Sequence, residues 1–262
     1  MEQRIVVTGA SSGIGRAVAA QAAGRGWRVL AVARRAERLA SLAEETGCET
    51  LVADLTDDDD VARLVEAATT FGATALVHVA GGALGSAPIP ATTLDDWQGM
   101  FDMNVLSTKR VLTGLLPQLR RTTLDGSYAT IQVVTSIAAT MPYVGGSGYN
   151  AAKAAEKALV DVLRLEVHGE PIRVMEVRPG MVRTEEFSLV RFQGDQAKAD
   201  AVYQGVQDPL TADDVAQVMT DALALPGHVS IDEVVIKPVA QTHAWMVHRG
   251  PLQAKVDEVD AD

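Results

Sequence analysis

The chain has 262 residues, 47% of them hydrophobic, and a formal charge of −11 at pH 7. That length and apolar content suffice for a buried core and for one α/β domain, while the acidic balance argues against a general binder of nucleic acid or anionic membranes. Cys48 is the only cysteine, which excludes an intrachain disulfide and fits a reducing, cytoplasmic setting.

The apolar run Ile5-Val-Val7 is too short for the h-region of a signal peptide, and no stretch approaches the roughly 18 apolar residues of a membrane span. Arg4–Thr8 reads as a short buried strand entering the glycine-rich turn Thr8-Gly-Ala-Ser-Ser-Gly-Ile-Gly15. An Ala-rich amphipathic helix follows to about Arg25, stopped by Gly24 and Gly26. Trp27–Ala33 is a second strand, Arg35–Thr46 a helix, Glu49–Ala53 a third strand, Asp59–Thr70 a helix and Thr74–Val79 a fourth strand. Leu94–Arg121 reads as one long helix capped by Thr93, with Pro117 in its later part. Tyr128–Thr135 is a strand, Gly148–His168 a helix and Ile172–Val177 a strand. Residues 178–209 form a long loop with room for a short helix around Gln196–Gly205; Thr211–Ala224 is a helix and Glu233–Lys237 a last strand. The alternation, with strands that are continuous apolar runs, predicts βαβ units and a doubly wound parallel sheet covered on both faces. No repeat or linker breaks the chain, so one Rossmann-type domain over 1–262 is expected: a cofactor half to about 135, then a catalytic helix, a substrate loop and a tail. The acidic run Asp57–Asp60 reads as helix N-terminal carboxylates. The five histidines lack zinc spacing, and no metal is expected.

Gly9, Gly13 and Gly15 lie between a strand and a helix, the context of a dinucleotide site. Glycines let the backbone approach a pyrophosphate, the helix N-terminus offers unpaired N–H groups, and Ser11 and Ser12 add hydroxyl donors. At the end of the second strand, where an NAD-selective fold places an acid, this chain has Ala33-Arg34-Arg35. An arginine fork there suits a 2′-phosphate, so the expected cofactor is NADP(H). Further along, Tyr149 and Lys153 stand four apart at the start of a helical run. At that spacing their Cβ atoms are about 5–6 Å apart and both groups can reach one site. A free tyrosine is a poor base at neutral pH, and a fixed ammonium nearby is a direct way to stabilise its phenolate.

Thr8-Gly-x-x-x-Gly-Ile-Gly15, Asp54, Ala80-Gly81, Asn104, Ser136, Tyr149-x-x-x-Lys153 and Pro179-Gly180 occur in one order with compatible spacing. Together they resemble the short-chain dehydrogenase/reductase superfamily over nearly the whole chain. The resemblance implies a seven-stranded parallel sheet and a Ser136–Tyr149–Lys153 centre supported by Asn104. Tyr149 would be the general acid/base, and Lys153 would tune it and bind the nicotinamide ribose. Ser136 would hydrogen-bond the substrate oxygen, and Asn104 would hold a water linking Lys153 to solvent. It also implies cofactor contacts from Ile14, Asp54 and Leu55, and from Pro179, Gly180, Val182 and Thr184. One departure stands out: the family's Asn-Asn-Ala-Gly is here His78-Val79-Ala80-Gly81, and a buried structural His78 is expected to take over a hydrogen bond that ties the sheet.

The segment Pro179–Gly194, with Leu84–Pro88, Asp96–Gln98 and Pro238–Gln241, resembles the NADP-dependent serine and 3-hydroxy acid dehydrogenases. That branch implies short 3-hydroxy acids such as serine or allo-threonine, whose carboxylate needs a cation. Arg191 is the first candidate and Arg183 the second; Tyr143 and Gly145-Gly146 are expected to shape the pocket wall, and the 178–209 loop to act as a lid. Two other readings stay open: a carbonyl reductase or acyl-carrier ketoreductase with the same catalytic residues, and a non-catalytic dinucleotide-binding regulator. The resemblance implies a homotetramer built through the helices at 94–121 and 148–168. The tail from Gln241, with Trp245 and Met246, is expected to dock on its own or a neighbouring subunit, and Val256–Asp262 to be frayed.

Overall fold

The computed structural model describes residues 3–254, so the acidic end at Val256–Asp262 lies outside the described residues. Seven parallel strands form one sheet: β1 (Arg4–Thr8), β2 (Arg28–Ala33), β3 (Glu49–Val52), β4 (Ala75–His78), β5 (Ala129–Val134), β6 (Ile172–Pro179) and β9 (Glu233–Ile236). A separate two-stranded ladder pairs β7 (Val182–Arg183) with β8 (Leu210–Thr211). The sheet order is β3-β2-β1-β4-β5-β6-β9. It reverses direction of growth between β1 and β4, and the crevice beyond the carboxyl ends of those two strands is where such a sheet binds ligands.

Alternation along each strand sorts the core into two layers. Ile5, Val7, Val29, Ala31 and Val77 face α1 (Gly13–Gly24), α2 (Ala36–Thr46) and α9 (Ala212–Ala224), where Val18, Leu39, Leu42, Met219 and Leu223 complete one cluster. Val6, Leu30, Leu76 and Ile131 face the other way onto α3 (Asp58–Phe71), α5 (Ser107–Thr122) and α6 (Ser147–Glu166), through Leu64, Leu115 and Val160. Both faces are thus covered, as continuous apolar strands require. Asp57 caps α3 by accepting from Asp60 N at 3.0 Å, which is how the acidic run is used.

The expected single helix over 94–121 needs correction. It starts as expected at a capping box between Thr93 and Asp96, forming α4 (Leu94–Phe101). A π turn, Asp102–Leu106, then intervenes before α5. Three side chains here meet carbonyls four residues back: Asn104 Nδ2 donates to Met100 at 2.7 Å and Ser107 Oγ to Met103 at 2.7 Å, and Thr108 Oγ1 lies 2.6 Å from the Asn104 carbonyl, its one proton shared with the Glu156 carboxylate at 2.8 Å. Such back-bonds compete with the regular ladder and widen the turn by one residue. Pro117 sits inside α5 without ending it. The 178–209 segment is also less loop-like than expected. It holds α7 (Phe187–Arg191) and α8 (Gln196–Ala201) besides β7. Among the described residues, no helix is long and apolar enough to cross a membrane.

Candidate active site

A cleft of about 1350 Å³ opens at the carboxyl ends of β1, β2, β4, β5 and β6. The β1–α1 turn forms its floor. Gly9 has φ +67°, and a Cβ there would stand 2.9 Å from Ala80 N, so only glycine fits. Thr8 Oγ1 accepts from Val79 N at 3.1 Å and Ala80 N at 3.2 Å, and meets His78 Nδ1 at 3.0 Å. With both lone pairs taken, the threonine proton goes to Nδ1, which places the imidazole proton on Nε2. Nε2 has no partner among the described residues. Burial, with a lesser push from the Lys153 ammonium, drives the His78 pKa down to about 3. The ring is neutral and ties β1 to β4, the expected structural role.

Arg35 reaches back over this turn. Its Nε and one terminal nitrogen donate to Ser11 Oγ at 3.1 and 2.8 Å, and the same nitrogen lies 2.8 Å from Ser12 Oγ. The other terminal nitrogen pairs with Glu186 at 2.5 Å, a residue with no motif to reveal it in the sequence. The hydrogen bond from Arg35 holds the Glu186 carboxyl below the ordinary glutamate range. Arg34 is exposed and stands 3.8 Å from Asp54. Two guanidinium groups, two serine hydroxyls and a helix N-terminus therefore share one end of the cleft. This donor set, over a floor that a Cβ would block, fits a phosphate-bearing dinucleotide. Every residue expected to hold the cofactor lines the cleft except Gly15. Gly15 instead allows α1 to pack directly on the Gly9 carbonyl.

Tyr149 stands in the first turn of α6, buried among Ala83, Met100, Ala138 and Ala152. The Phe187 ring meets it edge-on at 5.9 Å. Ser136 follows β5 and accepts from Ala138 N at 3.1 Å; among the described residues its own proton has no acceptor, and it lines the cleft beside Tyr149 and Lys153. Lys153 Nζ donates to the Val134 carbonyl at 3.2 Å and to Glu156 Oε2 at 2.6 Å. Glu156 was missed by the motif reading, although it lies on the same helical face three residues on. Asn104 is fully buried and does not line the cleft. Its amide clamps Gly82 from both sides, Oδ1 from N–H at 3.1 Å and Nδ2 to the carbonyl at 3.0 Å. At Gly81 a Cβ would come within 2.6 Å of Asn104 Oδ1 and 3.3 Å of Lys153 Nζ.

Arg191, at the end of α7, closes the opposite side. It donates to Gly85 O at 2.9 Å and Tyr143 Oη at 2.9 Å, with Gly145 O at 3.4 Å. Its guanidinium carbon lies 5.8 Å from the Tyr149 ring centroid and 5.5 Å from that of Tyr143. Burial raises the Tyr143 pKa above the ordinary phenol value, against the pull of Arg191. Tyr143 lines the cleft; Gly145 and Gly146 do not, and act by supporting Arg191 and the Tyr143 ring. Arg183 is exposed, lies 5.7 Å from the Tyr203 ring and lines no part of the cleft, which removes it as the second anchor candidate. Trp245 and Arg249 of the tail do line it, so part of the tail lies against the cleft of its own chain. Outside the cleft, Asp161, Glu176 and Glu233 cluster as metal ligands could. Lys157 Nζ already sits among them, at 2.9, 3.3 and 2.8 Å.

A family model described as short chain dehydrogenase matches residues 3–192. An uncharacterized oxidoreductase of Mycobacterium tuberculosis (strain ATCC 25618 / H37Rv) is 49% identical over 239 residues, covering 91% of this chain and 92% of that protein. The serine 3-dehydrogenase of Agrobacterium fabrum (strain C58 / ATCC 33970) is 39% identical over 255 residues, covering 95% of this chain and 99% of that one. Among solved structures, the closed form of serine dehydrogenase complexed with NADP+ superposes with a TM-score of 0.86. It has 33% identity and covers 94% of this chain and 100% of that chain.

Proposed function

The chain belongs to the short-chain dehydrogenase family, and within it we propose an NADP-dependent oxidoreductase that interconverts short 3-hydroxy acids, serine-like ones foremost, with their 3-oxo forms. The observation that carries this reading is Arg191, a cation fixed 5.8 Å from the Tyr149 ring in the cleft that also holds Ser136 and Lys153. A substrate with a carboxylate two carbons from its reacting hydroxyl needs such a cation close to the proton-transfer group.

The nicotinamide of NADP(H) supplies the hydride chemistry when bound, and Arg34, Arg35, Ser11 and Ser12 would hold its phosphates. Tyr149 takes the proton of the substrate hydroxyl in oxidation and returns it to the carbonyl oxygen in reduction. The Ser136 hydroxyl, with its oxygen already accepting from Ala138 N, is left to donate to that same oxygen. Lys153 places positive charge beside Tyr149 and favours its anionic form. Phe187 and the buried wall around Tyr149 keep bulk water from the reacting centre. The exposed apolar side chains Leu106, Val162 and Leu165 beside and along α5 and α6 support assembly into a homotetramer through those helices.

A panel of short 3-hydroxy acids, neutral alcohols and sugars, assayed with NADP+, tests the reading. Turnover is expected for the 3-hydroxy acids and lost in Tyr149→Phe. Turnover confined to neutral substrates would move the assignment to a general carbonyl reductase, and none at all with NADP+ still bound would leave a dinucleotide-binding regulator.

A further inference from the structure

Lys153 and Glu156 are both shut off from solvent, at 4% and 0% exposure. Nζ has three N–H bonds; one goes to Glu156 Oε2 at 2.6 Å and one to the Val134 carbonyl at 3.2 Å. The third is left for the cleft that Lys153 lines. The other carboxyl oxygen, Oε1, is met by Thr108 Oγ1 at 2.8 Å, from the start of α5 just beyond the π turn. Glu156 is therefore paired within α6 and gripped from α5, with no solvent to share its charge.

An ammonium buried without a partner sheds its proton, because burial penalises the charged form. Here burial is the largest influence on Lys153 and works against its ammonium. The charge and hydrogen bond of Glu156, with smaller contributions from Tyr149 and Glu176, together leave the lysine pKa above its ordinary value, while burial also pushes the Glu156 carboxyl up. The remaining groups facing the pair do not replace Glu156. His78 is neutral, and Tyr149 is the group being served. Glu176 is engaged by Lys157 at 3.3 Å and Arg178 at 3.5 Å. Resting on the reading of Tyr149 and Lys153 as the proton-transfer pair, we propose that Glu156 is its positioning residue: the buried counter-ion that keeps Lys153 protonated and points its free N–H into the cleft.

The test begins with Glu156→Gln, which keeps an oxygen for Nζ but removes the charge. In the oxidation direction the wild-type rate is expected to hold its plateau at alkaline pH. In the variant Lys153 loses its proton there, and the rate falls about tenfold below its own maximum by roughly pH 10. Glu156→Asp restores the charge and with it the plateau. A second measurement needs no turnover. Lys153→Met strands Glu156 as a buried lone carboxylate, so adding Glu156→Gln to it should raise Tm. Superimposable pH profiles for wild type and Glu156→Gln overturn the proposal, as does a Lys153→Met/Glu156→Gln protein no more stable than Lys153→Met. If Glu156→Gln alone does not fold, the stability pair decides. A gain in stability without turnover of any substrate would uphold the pairing while sinking the assigned activity, so the two failures are told apart.

Discussion

Arg191 is held by three acceptors that its own segment after β7 does not supply: Gly85, Tyr143 and Gly145 lie far earlier in the chain. Its position over Tyr149 is set by those contacts and by stacking, so truncation removes a fixed cation rather than a mobile one. Arg191→Ala should raise KM for 3-hydroxy acids by about tenfold or more, the worth of a charge-assisted hydrogen bond, and leave a neutral alcohol nearly unchanged. Steady-state kinetics on the two substrate types checks it. His78 carries a second prediction. Its pKa is 6.5 in the unfolded chain and about 3 in the fold. Between those values the unfolded state binds the extra proton, so stability falls as pH drops below 6.5 and stops falling near 3. From pH 7 to pH 5 this one group removes about 2 kcal/mol. His78→Asn has nothing to titrate there, and urea unfolding at the two pH values should show the wild-type loss shrink by that amount.

The turn joining β2 to α2 places Arg34 outward beside Asp54 and Arg35 inward against Ser11 and Ser12. The two arginines are therefore unequal partners for a 2′-phosphate, and Arg35 is the one already anchored at the phosphate cradle. Arg35→Ala should raise KM for NADPH about tenfold more than KM for NADH; equal effects on both cofactors would refute the assignment. The strand–helix alternation and the Thr93 cap were readable from local residues, since apolar runs and capping boxes act within one turn. The π turn was not, because it arises from Asn104, Ser107 and Thr108 competing jointly for backbone carbonyls. A cluster of such residues inside an otherwise regular helix was the available signal.

Across the whole molecule, one sheet reversal between β1 and β4 gathers the glycine turn, Ser136, Tyr149 and Arg191 around one cleft. The later turns of α6, beyond Tyr149, leave Leu165 at 76% and Val162 at 50% exposure. If these faces join the proposed tetramer, Leu165→Glu should bury a charge at the interface and lower the mass seen by light scattering, with the monomer fold kept. Family, fold and the Ser136–Tyr149–Lys153 order could all be read from residue types and spacings, because strand periodicity, glycine turns and helical i,i+4 pairs are short-range constraints written along the chain. Tertiary structure alone decided which cations serve the cleft and which charges are sealed inside it. Arg191 was placed in the cleft wall and Arg183 outside it, Glu186 was brought to Arg35 from 151 residues away, and Glu156 was buried against Lys153. Those outcomes depend on desolvation and on contacts between distant segments. Neither quantity exists until the chain has folded.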